Sequence, residues 1–572
     1  MAGAEYTRVA DREHLRREGR LVVDADGQSV ALFDHDGEVY AVDNRCPHMG
    51  FPLADGTVED ALLTCHWHHA RFELACGDTF DIWADDVQTY PVVVQDGSIL
   101  IDPDPEPDIP PATHWRNRLV DGLAEDLPLV VAKAVIHLDA HDEGFQTPLE
   151  TALDFGLTYR AAGWGSGLTV LSAMANLYDH LDHDERLRAL YIGAREVADD
   201  TAGEPPRFDQ YPLGNESLSK DRLESWFRES CEVRDADGAE RCLRTAAGML
   251  SQEAIVEILL GAATDHLYLD AGHTLDFVNK ACEALDHVGW DRAEDVLAGT
   301  VDRFTDADRA EERSEWRRPV DVAGLVFDAH DALPDLVAAG TDRDWTRPED
   351  FVQGLLSDDP AAVLQTCRRA IREGATPAQL TDAVADAATM RVAQFGTSNE
   401  FSDWNTVHHT FSYAHAAHEL ARRTNAVVAY RPAFDAAASV YLDRFLNQPA
   451  APLPEVDSSG RDPASIRSDL LSTFDTQGHV DEAGDLVAEH AAAGGDRAAL
   501  IATLGAGLLR EDPQFHTLQN VEAAVRRADR TDTTLPLIAT ARYMAAHFPT
   551  RRSAEQTFDI ARRLFRGERI HE

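Results

Sequence analysis

The chain contains very little lysine and a large excess of acidic residues. Only three of its 572 residues are lysines, against 49 arginines, and 101 Asp and Glu residues give a formal net charge of −49. Such a charge repels nucleic acid and anionic membranes, which argues against both as partners. In molar salt the Debye length falls to about 3 Å, which would screen the self-repulsion. The composition therefore predicts a halophilic protein, although GC-rich coding also replaces lysine by arginine.

Long hydrophobic runs are also missing. No stretch approaches the 18 uninterrupted apolar residues that indicate a membrane-spanning helix. The first twenty residues, MAGAEYTRVADREHLRREGR, lack the apolar core of a secretory signal. We therefore expect a cytoplasmic protein with no membrane partner. The seven cysteines are an odd number, which, without an export signal, argues against a disulfide framework.

Residues before about 102 have the pattern of a small antiparallel β domain. Short runs rich in β-branched and aromatic residues alternate with Asp-Gly turns, which predicts strands. These runs begin at Leu21, Val30, Val39, Tyr90 and Ser98.

The rest of the chain has a different pattern. The acidic, proline-rich stretch IDPDPEPDIPPATHW, which begins at Ile101, predicts a semi-rigid linker. From about Asn117 to Arg566 the apolar residues recur at helical spacing. The predicted fold class is therefore multi-domain, with a small antiparallel β domain followed by an all-α region.

Two short motifs in the β domain carry metal-binding side chains. The motif CPH begins at Cys46, and the motif CHWH begins at Cys65 after a spacer of sixteen residues. Two cysteines and two histidines could bind one zinc ion, or could bind a [2Fe-2S] cluster with two thiolates on one iron and two imidazoles on the other. Zinc favours CxxC and HxxxH pairs, whereas each loop here offers one Cys and one His. The pattern therefore favours a two-metal cluster held between two loops.

The stretch CPHMGFPLADGTVEDALLTCHWHHARFELACGDTF resembles a Rieske-type [2Fe-2S] domain. The resemblance implies four cluster ligands, which are Cys46, His48, Cys65 and His68. It also implies a redox partner such as a ferredoxin or a flavin reductase. His69 replaces the Gly that usually follows the second ligand histidine, and we assign His68 on spacing. Cys76, near the second loop, is expected to be either a small packed residue or a redox-active thiol.

The same resemblance indicates a low-potential member of the family. High-potential members have an extra cysteine in each loop, joined as a disulfide, where this chain has Phe51 and Trp67. They also direct a Ser and a Tyr hydroxyl at the cluster sulfurs, where this chain has Ala70 and Phe72. Those hydrogen bonds raise the potential, so we expect a value near the low end of the range, around −150 mV. This suits a ferredoxin or an oxygenase-type electron carrier.

The helical region contains an internal repeat. Similar segments begin with His-Thr at His273, His409 and His516, and a degenerate copy begins at Gly167. Gly167 and His409 are 242 residues apart, and His273 and His516 are 243 residues apart, which indicates a duplicated half. The predicted domains are a Rieske domain at 1–102, a linker at 103–115, a first helical half at 116–345 and a second at 346–572.

Histidines in the helical region form a candidate second metal site. The candidate residues are His266, Asp270, His273, His408, His415 and His418. The first three have the spacing of one helix face and the composition of a two-His, one-carboxylate iron site. Three interpretations stay open for these histidines: helix capping and packing, a further metal or cofactor, and a metal-free substrate pocket.

Two functions follow from these observations. In the first, the protein is an oxidoreductase whose cluster delivers electrons to a site in the helical region. In the second, it is a non-catalytic electron carrier or redox sensor on a helical interaction scaffold. The whole architecture is similar to Rieske proteins of halophiles, a resemblance that implies no substrate. No segment has the acid-x-x-His and later His of a ring-hydroxylating oxygenase, and an oligomer is compatible with the sequence.

Overall fold

The computed structural model describes residues 6–215, 217–456, 459–568 and 570. The described chain forms two compact units. The first contains the residues up to Thr151 together with those from Gln556 onward, and the second runs from Ala152 to Glu555. The first five residues of the predicted segment 1–102 lie outside the described residues, and the four predicted domain boundaries stay predictions.

The predicted β domain is confirmed. Nine strands occur in the described residues, and all of them precede Asp102. They are β1 (Thr7–Asp11), β2 (Arg20–Ala25), β3 (Gln28–His35), β4 (Glu38–Asp43), β5 (Thr57–Glu59), β6 (Leu62–Thr64), β7 (Arg71–Glu73), β8 (Val92–Gln95) and β9 (Ser98–Ile101).

The strands form three antiparallel sheets of three strands each. Their orders are β1-β9-β8, β2-β3-β4 and β5-β6-β7. In the second sheet the register places Ala31 opposite Val42 and Phe33 opposite Tyr40. Ala31, Phe33 and Val42 are buried together with the two predicted cysteine ligands in one apolar core. The sheets therefore fix the strand ends from which the metal-binding loops project.

The predicted helical region is also confirmed, since every regular element described after Ile101 is a helix. One helix, α1 (Arg12–Glu18), lies within the β domain. The others are α2 (Pro111–Ala124), α3 (Pro128–Ala140), α4 (Gln146–Thr158), α5 (Ser166–Leu177), α6 (His183–Thr201), α7 (Lys220–Glu232), α8 (Ala236–Met249), α9 (Gln252–Ala263), α10 (His273–Val288), α11 (Ala293–Ala298), α12 (Asp302–Thr305), α13 (Val322–Asp331), α14 (Leu333–Gly340), α15 (Phe351–Leu355), α16 (Pro360–Arg372), α17 (Pro377–Ala393), α18 (Asp403–Ala421), α19 (Arg431–Leu442), α20 (Pro463–Thr473), α21 (Val480–Ala492), α22 (Arg497–Leu509), α23 (Phe515–Arg530), α24 (Leu535–His547) and α25 (Ser553–Phe565). In the part of the chain that the structure describes, no helix has the length and apolarity needed to cross a membrane.

Local sequence explains where many of these helices begin. The side chains of Ser219 and Ser251 accept a backbone N–H at the starts of α7 and α9. At the start of α17, Thr376 and Gln379 each accept the other's backbone N–H and form a capping box. These caps satisfy N–H groups that have no partner within the helix.

The first unit contains helices as well as the β domain. Arg118 of α2 donates to the carbonyl oxygens of Ile82 and Ala84, at 2.7 and 2.6 Å. Trp115 of α2 stacks on His137 of α3, with ring centroids 3.8 Å apart and planes 9° apart. Helix α2 therefore packs on the β domain through polar contacts and on α3 through an aromatic contact.

Four helices of the second unit form a closed ring. In sequence order these are α5, α10, α18 and α23, each packed against the next and the last against the first. The ring helices contain, in the same order, the four segments that the internal repeat predicts. Gly167 of α5 allows a close approach to α6, because a Cβ there would lie 2.5 Å from the carbonyl oxygen of Glu196.

Candidate metal centres

Two loops of the first unit bring the predicted cluster ligands together. The first loop follows β4 and contains Cys46 and His48, and the second joins β6 to β7 and contains Cys65 and His68. Each loop is closed by its own backbone. Cys46 N–H donates to Phe51 O at 2.8 Å, and Cys65 N–H donates to Ala70 O at 2.8 Å. These hydrogen bonds hold the four side chains in place before any metal is considered.

The two cysteines are suited to bind metal as thiolates. Both are buried and free of any disulfide. A hydrogen bond from Cys46 and the backbone N–H groups of Trp67 and His68 lower the pKa of Cys65 to about 6. The pKa of Cys46 is raised, because the hydrogen bond with Cys65 and burial favour its proton. The hydrogen bond between the two thiols therefore shifts their pKa values in opposite directions, and further N–H groups of the first loop point at the Cys46 sulfur.

The two imidazoles lie next to each other at the same end of the loops. The ring centroids of His48 and His68 are 4.7 Å apart. Burial, followed by repulsion from Lys133 and His68, lowers the pKa of His48 to about 4, so its ring is neutral. Its Nδ1 atom is buried and has no hydrogen-bond partner among the described residues. A buried neutral ring nitrogen of this kind fits a metal ligand.

The spacing of the four ligand atoms fits two metal ions better than one. In the described residues, side chains whose ligand atoms all lie within 4.8 Å of one another form three groups of three. None of these groups contains Cys46, His48, Cys65 or His68. A single zinc ion, with bonds of about 2.0–2.3 Å, would need all four atoms closer than that. A pair of adjacent thiols and a pair of adjacent imidazoles match the donor set of a [2Fe-2S] cluster.

The loops have apolar side chains at the positions where high-potential Rieske proteins have a disulfide and two hydroxyl groups. Phe51 and Trp67 pack together, with ring centroids 6.2 Å apart. Ala70 and Phe72 are fully buried and carry no hydroxyl. His69 is exposed and has a φ of 65°, a conformation that favours glycine and explains the usual residue at this position.

Cys76 is not the packed residue that one interpretation predicted. It is exposed, because it lies in the turn between β7 and the stretch that follows. Partial desolvation and the carboxylates of Glu73 and Asp78 raise its pKa to about 11. Its thiol is therefore protonated at neutral pH and is a poor nucleophile.

A buried lysine supports the first loop. Lys133 of α3 donates from Nζ to the carbonyl oxygens of Pro47 and His48, both at 2.6 Å. Burial lowers the pKa of Lys133 to about 8. The sequence motif did not indicate this residue, because it lies 85 positions after His48.

Comparison with known proteins agrees with this geometry. The family model "Rieske [2Fe-2S] domain" matches residues 5–91. The 3-phenylpropionate/cinnamic acid dioxygenase ferredoxin subunit of Photorhabdus laumondii is 46% identical over 74 residues, which are 13% of this chain and 70% of that protein. The chain belongs to the Rieske [2Fe-2S] family. Its Rieske domain therefore binds a [2Fe-2S] cluster.

Further relatives of the Rieske domain include other ferredoxins and a 4beta-methylsterol monooxygenase of Methylococcus capsulatus. The ferredoxin component of the naphthalene 1,2-dioxygenase/salicylate 5-hydroxylase systems of Ralstonia sp. is 33% identical over 86 residues, covering 15% of this chain and 83% of that protein. Among solved structures, the ferredoxin of carbazole 1,9a-dioxygenase from Nocardioides aromaticivorans is 28% identical and has a TM-score of 0.17. That alignment covers 17% of this chain and 98% of the other. An electron-transfer role for the Rieske domain follows from the sequence relatives.

The predicted helix face at His266, Asp270 and His273 is wrong. Helix α9 ends at Ala263, and α10 begins only at His273. The intervening turn contains left-handed residues, with φ of 53° at Asp270. The His266 ring lies between Glu232 and Glu311, at 2.6 and 2.7 Å. Local spacing therefore did not reflect how these side chains are arranged.

The other three candidates share helix α18 but have different neighbours. His408 lies beside His516, with ring centroids 5.1 Å apart. His415 is in a buried group with Glu283 and Glu522. His418 Nδ1 lies 3.1 Å from the carbonyl oxygen of Ala378, which packs it against α17.

The group around His415 is a buried ion-pair cluster. Lys280 Nζ donates to Glu283 Oε2 at 2.8 Å and to Glu522 Oε2 at 2.6 Å. Arg526 also pairs with Glu283, at 2.7 Å. The lysine ammonium thus takes the place that a metal ion between these carboxylates would need.

Three histidines from different helices do meet in the second unit. His273, His409 and His516 each offer a ring nitrogen within 4.8 Å of the other two. Only His273 was among the predicted candidates. The signal that could have found the others is the His-Thr pair that opens each copy of the repeat.

Proposed function

We propose that the protein is a Rieske electron-transfer oxidoreductase whose cluster passes single electrons to a site in its helical region. In this proposal Cys46, His48, Cys65 and His68 hold the cluster. The observation that carries the proposal is the convergence of two buried thiols and two adjacent imidazoles from separate loops. The backbone N–H groups directed at both sulfurs would stabilise the negative charge of the reduced cluster.

We infer a low cluster potential and an oxygenase-type role. Ala70 and Phe72 supply no hydroxyl to the cluster sulfurs, and an aromatic pair stands where high-potential relatives have a disulfide. Both features favour a potential near the low end of the Rieske range, around −150 mV. A flavin reductase or another ferredoxin would then supply the electrons. The ferredoxin relatives support this type of partner.

We further propose that the acceptor of these electrons lies in the same chain. Joining carrier and acceptor replaces a bimolecular encounter by a tethered one. The second unit offers a cavity of about 450 Å³, lined by polar side chains that include His409 and Asp443. A cavity of this size suits a small-molecule substrate. The other function, a carrier or sensor on a helical scaffold, would give two irons per chain and no activity of its own.

The internal duplication, salt adaptation and cytoplasmic location also belong to this proposal. The closed ring of α5, α10, α18 and α23 supports two related halves, since it takes one helix from each predicted repeat. The scarcity of lysine and the net charge of −49 support adaptation to molar salt.

Substitution of the four ligands tests the proposed cluster site. Anaerobically purified protein should show a Rieske-type EPR signal when reduced, and Cys46→Ser, Cys65→Ser, His48→Ala and His68→Ala should each abolish it. His69→Ala is the matched control, because it removes an exposed imidazole from the same loop. Loss of the signal in His69→Ala, with retention in His68→Ala, would show that the ligand assignment is wrong.

A further inference from the structure

We propose that His273, His409 and His516 bind one divalent transition-metal ion beside the cavity of the second unit, whose lining includes His409. The inference goes beyond the proposed function, because binding of this ion does not depend on the Rieske cluster. Three imidazoles with no carboxylate are a ligand set for zinc, iron, copper or nickel.

The distances between the rings suit a common ion. His409 Nε2 lies 3.0 Å from His516 Nε2. Two imidazole nitrogens bound to one ion at about 2.0–2.1 Å lie about 3.0–3.4 Å apart. The His273 ring is 4.7 Å from that of His409 and 5.6 Å from that of His516, measured between centroids. One ring nitrogen of each of the three histidines lies within 4.8 Å of the other two.

The three histidines are fixed by rigid elements. His273 is the first residue of α10, His516 is the second residue of α23, and His409 lies within α18. These helices belong to the closed ring, in which α18 packs against both α10 and α23. A site built on packed helices keeps its ligand geometry better than one built on loops.

His273 has a buried ring nitrogen without a hydrogen bond. Its Nδ1 lies 3.6 Å from Asp276 Oδ2, which is beyond hydrogen-bond distance, and has no hydrogen-bond partner in the part of the chain that the structure describes. The Asp276 carboxylate instead accepts a hydrogen bond from Gln519 Nε2 at 2.5 Å. A buried ring nitrogen without a partner is available to bind an ion.

The turn before His273 is strained. Tyr268, Asp270 and Ala271 all have positive φ values, of 48°, 53° and 55°. Backbone of this kind is disfavoured for residues other than glycine, and it persists where the surrounding structure imposes it, often at functional sites. Tyr268 and Ala271 also line the cavity, so the strained turn forms part of its wall.

The cavity provides room for a further ligand of the ion. Its volume is about 450 Å³, and His409 belongs both to the histidine group and to the cavity lining. Thr410, Ser439 and Asp443 line the same wall, and Thr410 donates to Asp443 Oδ2 at 2.5 Å. A bound ion would therefore have polar groups nearby, suited to a small polar ligand.

Zinc titration of the iron-loaded protein tests the site. Protein treated with a mild chelator and then dialysed against zinc in 2 M KCl should retain one zinc per chain by elemental analysis. The triple variant His273→Gln/His409→Gln/His516→Gln should bind zinc at least tenfold more weakly. His479→Gln is the matched control, since that histidine is exposed and pairs only with Glu482 in the described residues.

Three outcomes would overturn the proposal. Wild-type protein that retains no zinc would show that the 3.0 Å contact is only a hydrogen bond between two histidines. Equal zinc in the triple variant would show binding to the acidic surface. Cobalt(II), used as a second probe, should give a ligand-field absorption that is lost when zinc displaces the cobalt. A cobalt absorption that is unchanged in the single variant His516→Gln would exclude the proposed ligand set. The iron content, expected at two per chain throughout, reports separately on the cluster.

Discussion

Lys133 Nζ donates a 2.6 Å hydrogen bond to the carbonyl oxygen of His48, a residue of the first cluster loop. The contact joins a helix to the β domain within the first unit. It places a buried positive charge behind a loop that holds two predicted cluster ligands. Because reduction makes the cluster more negative, this charge should stabilise the reduced state.

Lys133→Met should therefore lower the midpoint potential of the cluster by roughly tens of millivolts. The change also leaves two buried carbonyl oxygens without their donor, which should lower the free energy of unfolding by about 1–3 kcal/mol. Redox titration followed by EPR measures the first effect. Lys220→Met is the control, because Lys220 pairs with Glu257 in the second unit. An unchanged potential in Lys133→Met, with the loop intact, would exclude an electrostatic role for Lys133.

Ala70→Ser combined with Phe72→Tyr should raise the midpoint potential by roughly tens to a hundred millivolts. Both positions are fully buried, and the added hydroxyls would reach the cluster sulfurs if the loop has the family shape. Protein-film voltammetry compares the variant with Ala70→Gly/Phe72→Leu, which adds no donor. Equal potentials in the two variants would mean that the left-handed conformation of His69 has changed the loop.

Thermal stability should rise steeply with KCl up to molar concentrations. At about 0.01 M salt the Debye length is about 30 Å, so the carboxylates repel one another across the whole molecule. Calorimetry between 0.1 and 3 M KCl measures the effect, with sucrose at matched osmolality as the control for excluded-solute stabilisation. A melting temperature that stays constant over this range would contradict the salt adaptation proposed from composition.

Asp443→Asn should remove a pH dependence of stability. Burial raises the pKa of Asp443 from its usual value near 4 to about 7, so the folded protein holds this proton more tightly than the unfolded chain does. Its stabilising contribution is therefore full below about pH 4 and is lost as the pH rises through 7. The free energy of unfolding of Asp443→Asn, taken relative to that of wild type, should increase by about 2–4 kcal/mol between pH 4 and 8, since one pKa unit corresponds to about 1.4 kcal/mol. Denaturant unfolding in 2 M KCl at both pH values measures it, and a constant difference would contradict the raised pKa.

The sequence predicted the cluster site because its ligands are local. Two motifs separated by sixteen residues contain all four side chains, and strand patterns flank them. The three-residue strands β5, β6 and β7 were not predicted, since runs that short have no measurable alternation. Lys133 was missed for a different reason: its contact with the loop depends on how α3 packs, which local spacing does not encode.

The group of His273, His409 and His516 was also missed because its contacts depend on how helices pack. His409 and His516 are 107 residues apart, and they meet only because α18 packs against α23 in the ring. Spacing along the chain instead pointed to a helix face at 266–273, where the structure has a left-handed turn. The repeated His-Thr pair marks all three histidines in the sequence. That they lie close together follows only from the packing of the ring helices.

Electron transfer within one chain is tested most directly by flash photoreduction. A sub-stoichiometric pulse of electrons from a photoexcited flavin would reduce the cluster of the oxidised protein, loaded with copper(II) because zinc(II) cannot accept an electron. The visible absorption of the cluster would then be followed under anaerobic conditions. The proposed function predicts first-order reoxidation of the cluster at a rate independent of protein concentration, which slows at least tenfold in the triple histidine variant if the ion at that site is the acceptor. Reoxidation whose rate is proportional to protein concentration, or a cluster that stays reduced, would contradict an acceptor in the same chain.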